Sequence, residues 1–458
     1  MRQSKALDLT TGSILSALTK LAVPIIGTSF VEMAYSLTDM MWLGRVGADA
    51  VAAVGAAGFF TWLASAFLLL AKVGAEVGVA QSIGARDTKR AKEFIRHSIQ
   101  IAVSLGVLYG LFMVIFRRPL IGFFRLGPSI ESDARTYLVI VSMSMSCFML
   151  NPVFTAIFNG AGDSTTPFRL NALGLVLNII LDPILILGLG PIPRLETTGA
   201  AIATFIAQVT VTGAFALHAR TRPELFSGIN LIKKMEWVRA KEILRLGLPP
   251  AVQNACFASI AMVIARILAN WGPLPVAVQQ VGSQIESISW LTASGFEVAM
   301  SAFVGQNYGA RKWERVRKGY FTGLGIVTVW GLFATFLLIF AAEPLFSLFI
   351  PEEEAIRYGV VYLRILGLCQ LFMCVEIMTA GSFIGHGQSL PPAVVSIGFN
   401  LLRIPLALIL SSTSLGLEGV WWAITLSSIC KGVVLSIWHL RFLNRYAGRT
   451  RMSRTVEN

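Results

Sequence analysis

Gln81, Gly84, Ala85 and Arg86 recur as Gln306, Gly309, Ala310 and Arg311, and the same spacing carries Pro24 to Pro249, Gly160 to Gly385, Gly162 to Gly387 and Pro167 to Pro392. One unit is written twice along this chain. Each copy is built from long apolar runs, so the duplication points to a membrane protein of two similar halves, an arrangement common among secondary transporters.

With 55% hydrophobic and 14% charged residues in 458, and a mean hydropathy of +0.69, the chain carries more apolar surface than a soluble core hides. About twenty consecutive apolar residues cross a bilayer core, which predicts about twelve spans, six per half. They fall near 20–43, 51–80, 97–117, 134–158, 168–190 and 199–219, then 246–269, 276–304, 319–342, 358–384, 392–412 and 417–440. The expected fold is an all-α membrane protein of twelve transmembrane helices in two pseudo-symmetric six-helix lobes. The lobes take residues 1–219 and 246–440, with a cytoplasmic linker at 220–245 and a basic cytoplasmic tail at 441–458.

A net charge of +13 raises nucleic acid as a partner, but the basic residues gather in short loops beside the spans. Arg86, Lys89, Arg90, Lys92 and Arg96 load one loop, and Arg220, Arg222, Lys233, Lys234, Arg239, Lys241 and Arg245 load the linker. Arg311, Lys312, Arg315, Arg317 and Lys318 follow, then Arg441, Arg445, Arg449, Arg451 and Arg454 in the tail. With twelve spans these all lie on one side, which the positive-inside rule makes cytoplasmic, as are both termini. Arg117, Arg118, Arg125 and Arg135 crowd an outer loop against that rule.

The polar N-terminus lacks the pattern of a signal peptide, so the first span is expected to stay in the mature protein. Five cysteines in apolar stretches and four scattered histidines give no metal or nucleophile constellation. A membrane-embedded transferase needs a cluster such as paired His and Asp beside sizeable extramembrane segments, which the sequence does not offer. The chain reads as a transporter rather than an enzyme.

Ionisable side chains within spans cost a few kcal/mol and usually face the interior to serve a pathway, a relay or a structural pair. In the first span Glu32, Tyr35, Ser36 and Asp39 fall on one helical face, and Pro24 earlier in the helix is a candidate bend. In the fifth, Asn171, Asn178 and Asp182 share a face and Pro183 follows the acid, while Thr204 and Asn159 are placed to complete a pocket. The rival reading is that the two aspartates merely hydrogen-bond neighbouring helices. The repeat argues against it, because its spacing maps Asp39 to Ile264, Asn178 to Arg403 and Asp182 to Ala407. Scaffold residues are duplicated and these acids are not. Lys72 and Glu76, one turn apart, read as a structural pair. In the second half Glu286, Glu297 and Glu376 stand against Arg266, Arg364 and Arg403, with ion pairs and substrate contacts equally open, and Arg403 is an alternative fixed charge in a cavity.

Taken together, LAVPIIGTSFVEMAYSLTDMMWLGRVG, the repeated turn before GAR, FNGAGDSTTP and NIILDPILI resemble the multidrug and toxic compound extrusion (MATE) transporters, in particular the prokaryotic DinF-like branch. The resemblance covers almost the whole chain. It implies two six-helix lobes around a V-shaped cavity and export of drug-like organic cations or amphipathic compounds by antiport with protons or sodium. Carried onto this sequence, it implies a first-lobe cation site at Asp39, Asn178, Asp182 and Thr204, with Tyr35 and Asn159 nearby and Pro24 as the bending point. The same oxygens suit sodium, and no cofactor beyond the ion gradient is implied. Glu32, Glu286, Glu376 and Arg403 are candidates to line the substrate cavity. The seventh span lacks the acid some branches carry, and Glu376 in the tenth is displaced from the usual position. A monomer in the inner or plasma membrane, in contact with lipid and not with nucleic acid, is expected. The alternative, a flippase for lipid-linked or amphipathic lipid substrates, usually goes with more helices and a more basic cavity, and the acidic first lobe speaks against it.

Overall fold

The computed structural model describes the backbone of residues 7–189 and 193–456 and the side chains through Arg445, so those of Arg449, Arg451 and Arg454 lie outside the described residues. Every regular element among the described residues is helical. In hydrocarbon a helix satisfies its backbone polar groups within one segment, as an isolated strand cannot. The first copy supplies α1 (Ile14–Val46), α2 (Ala48–Gly84), α3 (Thr88–Ile115), the short α4 (Arg117–Gly122), α5 (Pro128–Met143), α6 (Met145–Gly160), α7 (Thr165–Leu187), α8 (Glu196–Ala219) and the short α9 (Pro223–Phe226). The second supplies α10 (Trp237–Leu268), α11 (Pro273–Gly309), α12 (Trp313–Phe340), the short α13 (Ala342–Ser347), α14 (Glu353–Gly367), α15 (Gln370–Gly385), α16 (Leu390–Ser411) and α17 (Leu417–Val456).

Nine of these helices are long and apolar enough to cross a bilayer singly, and two bent pairs bring the described spans to eleven. The twelfth position belongs to α11, which at 37 residues equals α2, its counterpart in the repeat. Gln279, Gln280, Gln284, Glu286 and Glu297 dilute its apolar character.

The fourth and tenth spans are each two helices rather than one, bent by 48° between α5 and α6 and by 49° between α14 and α15. The breaks sit at repeat-equivalent residues. Ser144 Oγ donates to the Val141 carbonyl at 2.9 Å, and Cys369 Sγ donates to the Leu366 carbonyl at 3.2 Å. A side chain that bonds a carbonyl of the preceding turn competes with the helical ladder, and at these two places the ladder is interrupted. Both turns before the basic loops also share one backbone design. Asp87 N donates to Ser82 O and Lys312 N to Asn307 O, six-to-one bonds that close the ends of α2 and α11, with Arg86 at φ 58° and Arg311 at φ 56°. A left-handed non-glycine residue costs about 1–2 kcal/mol, and the chain accepts it at both copies.

Two compact units result. One holds Val23–Ala251, and the other holds Asp8–Ala22 together with the chain from Val252 onward. Thus α1 and α10 each change unit partway along, immediately beside Pro24 and at Pro249–Pro250, and both helices run through their prolines unbroken.

Within the first unit, α10 is fastened to α3 by Arg90 to Glu242 at 3.1 Å and Arg239 to Glu93 at 2.7 Å, and Arg96 binds Glu236 just before α10 at 2.9 Å. Gly247 abuts the Leu70 backbone, and a Cβ on Gly74 would sit 2.6 Å from Ile243 Cγ2, so α2 and α10 meet almost backbone to backbone. Phe154 stacks on Phe215 at 5.5 Å in this unit's core. Within the second unit, Arg315 takes the carbonyls of Leu9, Thr11 and Gly12, Lys312 takes that of Thr10 and Asn307 that of Leu9. Its core centres on Trp421, edge-on to Tyr362 at 5.3 Å.

Candidate functional site

Asn178 and Asp182 lie one turn apart on α7, both fully buried, and Asn178 Nδ2 donates to Asp182 Oδ1 at 3.1 Å. Asp39 reaches them from α1, within side-chain hydrogen-bonding range of both Asp182 and Asn178. Tyr35, one turn before Asp39, approaches Thr204 of α8, and so does Tyr137 of α5. Four helices therefore converge on one cluster of oxygens. Asp39 Oδ1, Asp182 Oδ2, Asn178 Oδ1, Thr204 Oγ1 and Tyr35 OH are all buried without a hydrogen-bond partner.

Glycine makes the convergence sterically possible. A Cβ on Gly174, one turn before Asn178, would come 2.6 Å from Val211 Cγ2 of α8, and Gly199 of α8 abuts the Leu185 carbonyl of α7. This close approach brings Thr204 to the level of the acids. Gly188, at φ 74°, closes α7 in a left-handed turn that L side chains seldom adopt.

Two carboxyl groups that face each other with an amide and hydroxyls form an acceptor-rich, donor-poor pocket. Such a set can share protons between its oxygens or clasp a small hard cation.

Five of the residues singled out in the sequence thus come together, namely Tyr35, Asp39, Asn178, Asp182 and Thr204. Asn159 is buried with an unpartnered Oδ1, but it precedes the turn into α7. Asp182 lies near the far end of that helix, roughly 25 Å along at 1.5 Å per residue. Glu32 lies two turns before Asp39 and feels the charge of Lys72, the partner that the sequence suggested for Glu76. Tyr137 is the member that sequence reasoning missed, and its one signal is a buried tyrosine inside an apolar span.

The second unit disposes of its charges differently. Glu376 pairs with Lys431 at 3.1 Å, a lysine that the sequence did not single out. Arg403 donates to Ser427 Oγ at 2.6 Å and Ser428 Oγ at 2.9 Å, and Glu286 accepts from Gln370 at 3.0 Å.

A family model described as MatE matches residues 24–184 and again 249–409, the two copies marked by the repeat. A Thermotoga maritima protein described as a probable multidrug resistance protein NorM is 30% identical over 412 residues, covering 88% of this chain and 87% of its own. A Shewanella oneidensis protein described as an FAD transporter is 24% identical over 407 residues, covering 88% and 89%. A crystal structure described as MATE in the bent conformation superposes with a TM-score of 0.90 at 24% identity, covering 98% of this chain and 100% of that one. That likeness concerns the fold.

Proposed function

This chain belongs to the MATE family of membrane transporters, and from that membership we propose that it is a secondary antiporter exporting organic cations or amphipathic compounds in exchange for protons. The observation that carries the reading is the pair Asp39 and Asp182, face to face in the first unit with unpartnered oxygens. In the proposed cycle these carboxyl groups take up protons from outside, the first-lobe helices rearrange about Pro24, the substrate leaves outward, and deprotonation inside resets the protein. Coupling of this kind requires proton and substrate to bias the same conformational equilibrium. The multidrug resistance description of the Thermotoga relative supports the substrate class. The reading places the protein in the cell membrane as a monomer with both termini cytoplasmic, working without a cofactor.

Sodium is the second reading, favoured by the unpartnered oxygens of Asn178 and Thr204, which add neutral ligands of the kind a hard cation takes. Efflux from proteoliposomes under separately imposed pH and sodium gradients, with a panel of cationic dyes and FAD, tests both. Movement driven by neither gradient would falsify the antiport mechanism.

A further inference from the structure

His97 of α3 has no exposed surface, and both of its ring nitrogens are engaged. Nδ1 stands 2.7 Å from the Glu93 carbonyl one turn back, which can only accept, so Nδ1 carries the hydrogen and donates. Nε2 meets donors: the Glu236 backbone N–H at 3.1 Å and Arg96 Nη2 at 3.2 Å. These partners fix one neutral tautomer. A ring protonated at Nε2 has two donors and no acceptor, and its new N–H would point at the Glu236 N–H and at a guanidinium.

Glu236 is the residue on which the linker turns into α10. Its carbonyl accepts from Ala240 N at 3.0 Å, and His97 takes its backbone N–H, so the imidazole holds the opening of that helix. The linker is tied down along its length as well. Arg222 pairs with Asp163 at 2.6 Å, Lys92 Nζ donates to Ser227 Oγ at 3.0 Å, and Gln100 Nε2 donates to the Leu231 and Lys233 carbonyls at 2.9 and 2.8 Å. All of these ties lie within the first unit. Guanidinium, ammonium, carboxamide and carboxylate are kinds of group that ordinarily keep one charge from about pH 5 to 8, and imidazole is the kind that does not.

The charged groups around the ring are already committed to one another. Arg96 of α3, Glu236 and Arg239 of α10 act on His97. Arg96 is bound to Glu236 at 2.9 Å, and Arg239 to Glu93 at 2.7 Å and Glu242 at 2.6 Å. The repeat maps His97 to Thr322, so the second copy has no counterpart to this residue.

We infer that His97 is a pH-sensitive latch on the linker. As a neutral ring it docks residue 236 on α3; when Nε2 takes a proton from water on the side the linker faces, that tie is lost and the opening turn of α10 is freed. Docking selects the neutral ring, so the hold is complete above the ordinary imidazole value of about 6.5 and weakens as pH falls below it. Its bearing on export rests on the antiport reading, in which that side is the cytoplasm; the latch itself does not.

Hydrogen–deuterium exchange of the full-length protein in lipid nanodiscs, without substrate or gradient, tests the latch at about pH 7.5 and about pH 5.5. With rates corrected for the intrinsic pH dependence of exchange, peptides covering 230–240 are expected to be protected at the higher pH. Below about 6.5 that protection should fall by up to about tenfold per pH unit, the limit for one proton. Peptides from the middle of α3 should not change. His97→Gln replaces Nε2 with an oxygen that does not titrate, and His97→Leu removes the acceptor; in both, the pH dependence of the linker peptides should vanish. Wild-type protection that is equal at the two pH values overturns the inference, as does a pH dependence that persists in either variant. So does simultaneous opening of α3, which would mark acid unfolding. Dye efflux driven by neither gradient would remove the antiport reading and leave the exchange result standing.

Discussion

Lys431 Nζ stands 3.1 Å from Glu376 Oε2 inside the second unit, with the two side chains 8% and 9% exposed. Asp39 and Asp182 have no such partner among the described residues; each faces the other acid and the Asn178 amide. One unit neutralises a buried carboxylate with a cation, while the other concentrates two acids without one.

Breaking a buried ion pair strands a charge, at a cost of about 3–5 kcal/mol, whereas replacing both partners is often nearly neutral. Lys431→Met is therefore expected to lower unfolding stability by roughly that amount. Adding Glu376→Gln should restore most of it. Denaturant unfolding of the purified protein in detergent measures both, and a double variant no better than the single would show that the pair has no mutual compensation.

Coupling energies between sites usually amount to about 1–3 kcal/mol, or about 5- to 150-fold. Asp39→Asn and Asp182→Asn are each expected to slow proton-driven dye efflux by a factor in that range. Thermal stability should be unchanged or increased, since a buried acid pair is replaced by groups that can donate. Vesicle efflux at fixed protein content reads the first effect, and an unimpaired rate in either variant removes that residue from the site.

Gly199 and Gly213 both lie in α8, yet only Gly199 is pressed against a neighbouring backbone, that of Leu185, while nothing stands within 4 Å of a Cβ on Gly213. Overpacking costs about 1–3 kcal/mol, so Gly199→Ala should destabilise by about that much and lower efflux by displacing Thr204. Gly213→Ala should be neutral or gain up to about 1 kcal/mol of helix propensity. Thermal unfolding of the two variants side by side checks the contrast.

Asp8, ahead of α1, accepts from Thr10 Oγ1 at 2.7 Å, Thr10 N at 2.9 Å and Thr11 Oγ1 at 3.1 Å. The Thr10 hydroxyl foremost, then the Thr10 amide, Thr11 and Lys312, outweigh desolvation and hold its carboxyl below the ordinary 3.8. The folded value is depressed, so the contribution to stability is fully present above 3.8 and is lost as pH falls through the lower folded value. Asp8→Asn should flatten the pH dependence of unfolding in that acid window and leave it unaltered near neutrality. Melting curves across the window provide the measurement.

What the sequence made legible follows from spacing along one helix. Asn178 and Asp182, or Tyr35 and Asp39, share a face wherever the helix is placed, and the duplication of Gly84 to Arg86 carries its turn geometry with it. Contacts between helices were less readable. Tyr137 and Lys431 take their places because of what packs opposite them, and neither carries a local pattern. Asn159 lies close to α7 in sequence, yet the helix carries Asp182 away from it. The two bent spans were hidden because no proline or glycine stands beside Ser144, and the Gly367 that ends α14 is a single small residue in an apolar run; the side-chain bonds of Ser144 and Cys369 to the carbonyls three residues back accompany both breaks.

The passage of α1 and α10 from one compact unit to the other bears on how such a polypeptide can be divided. Severing it in the linker would give an amino-terminal fragment lacking 237–251 of its own body and a carboxy-terminal fragment lacking 8–22. Each product would carry a stretch of helix that completes the other. A gene for one half alone does not encode a finished fold, and two halves made separately could mature only by trading their leading segments.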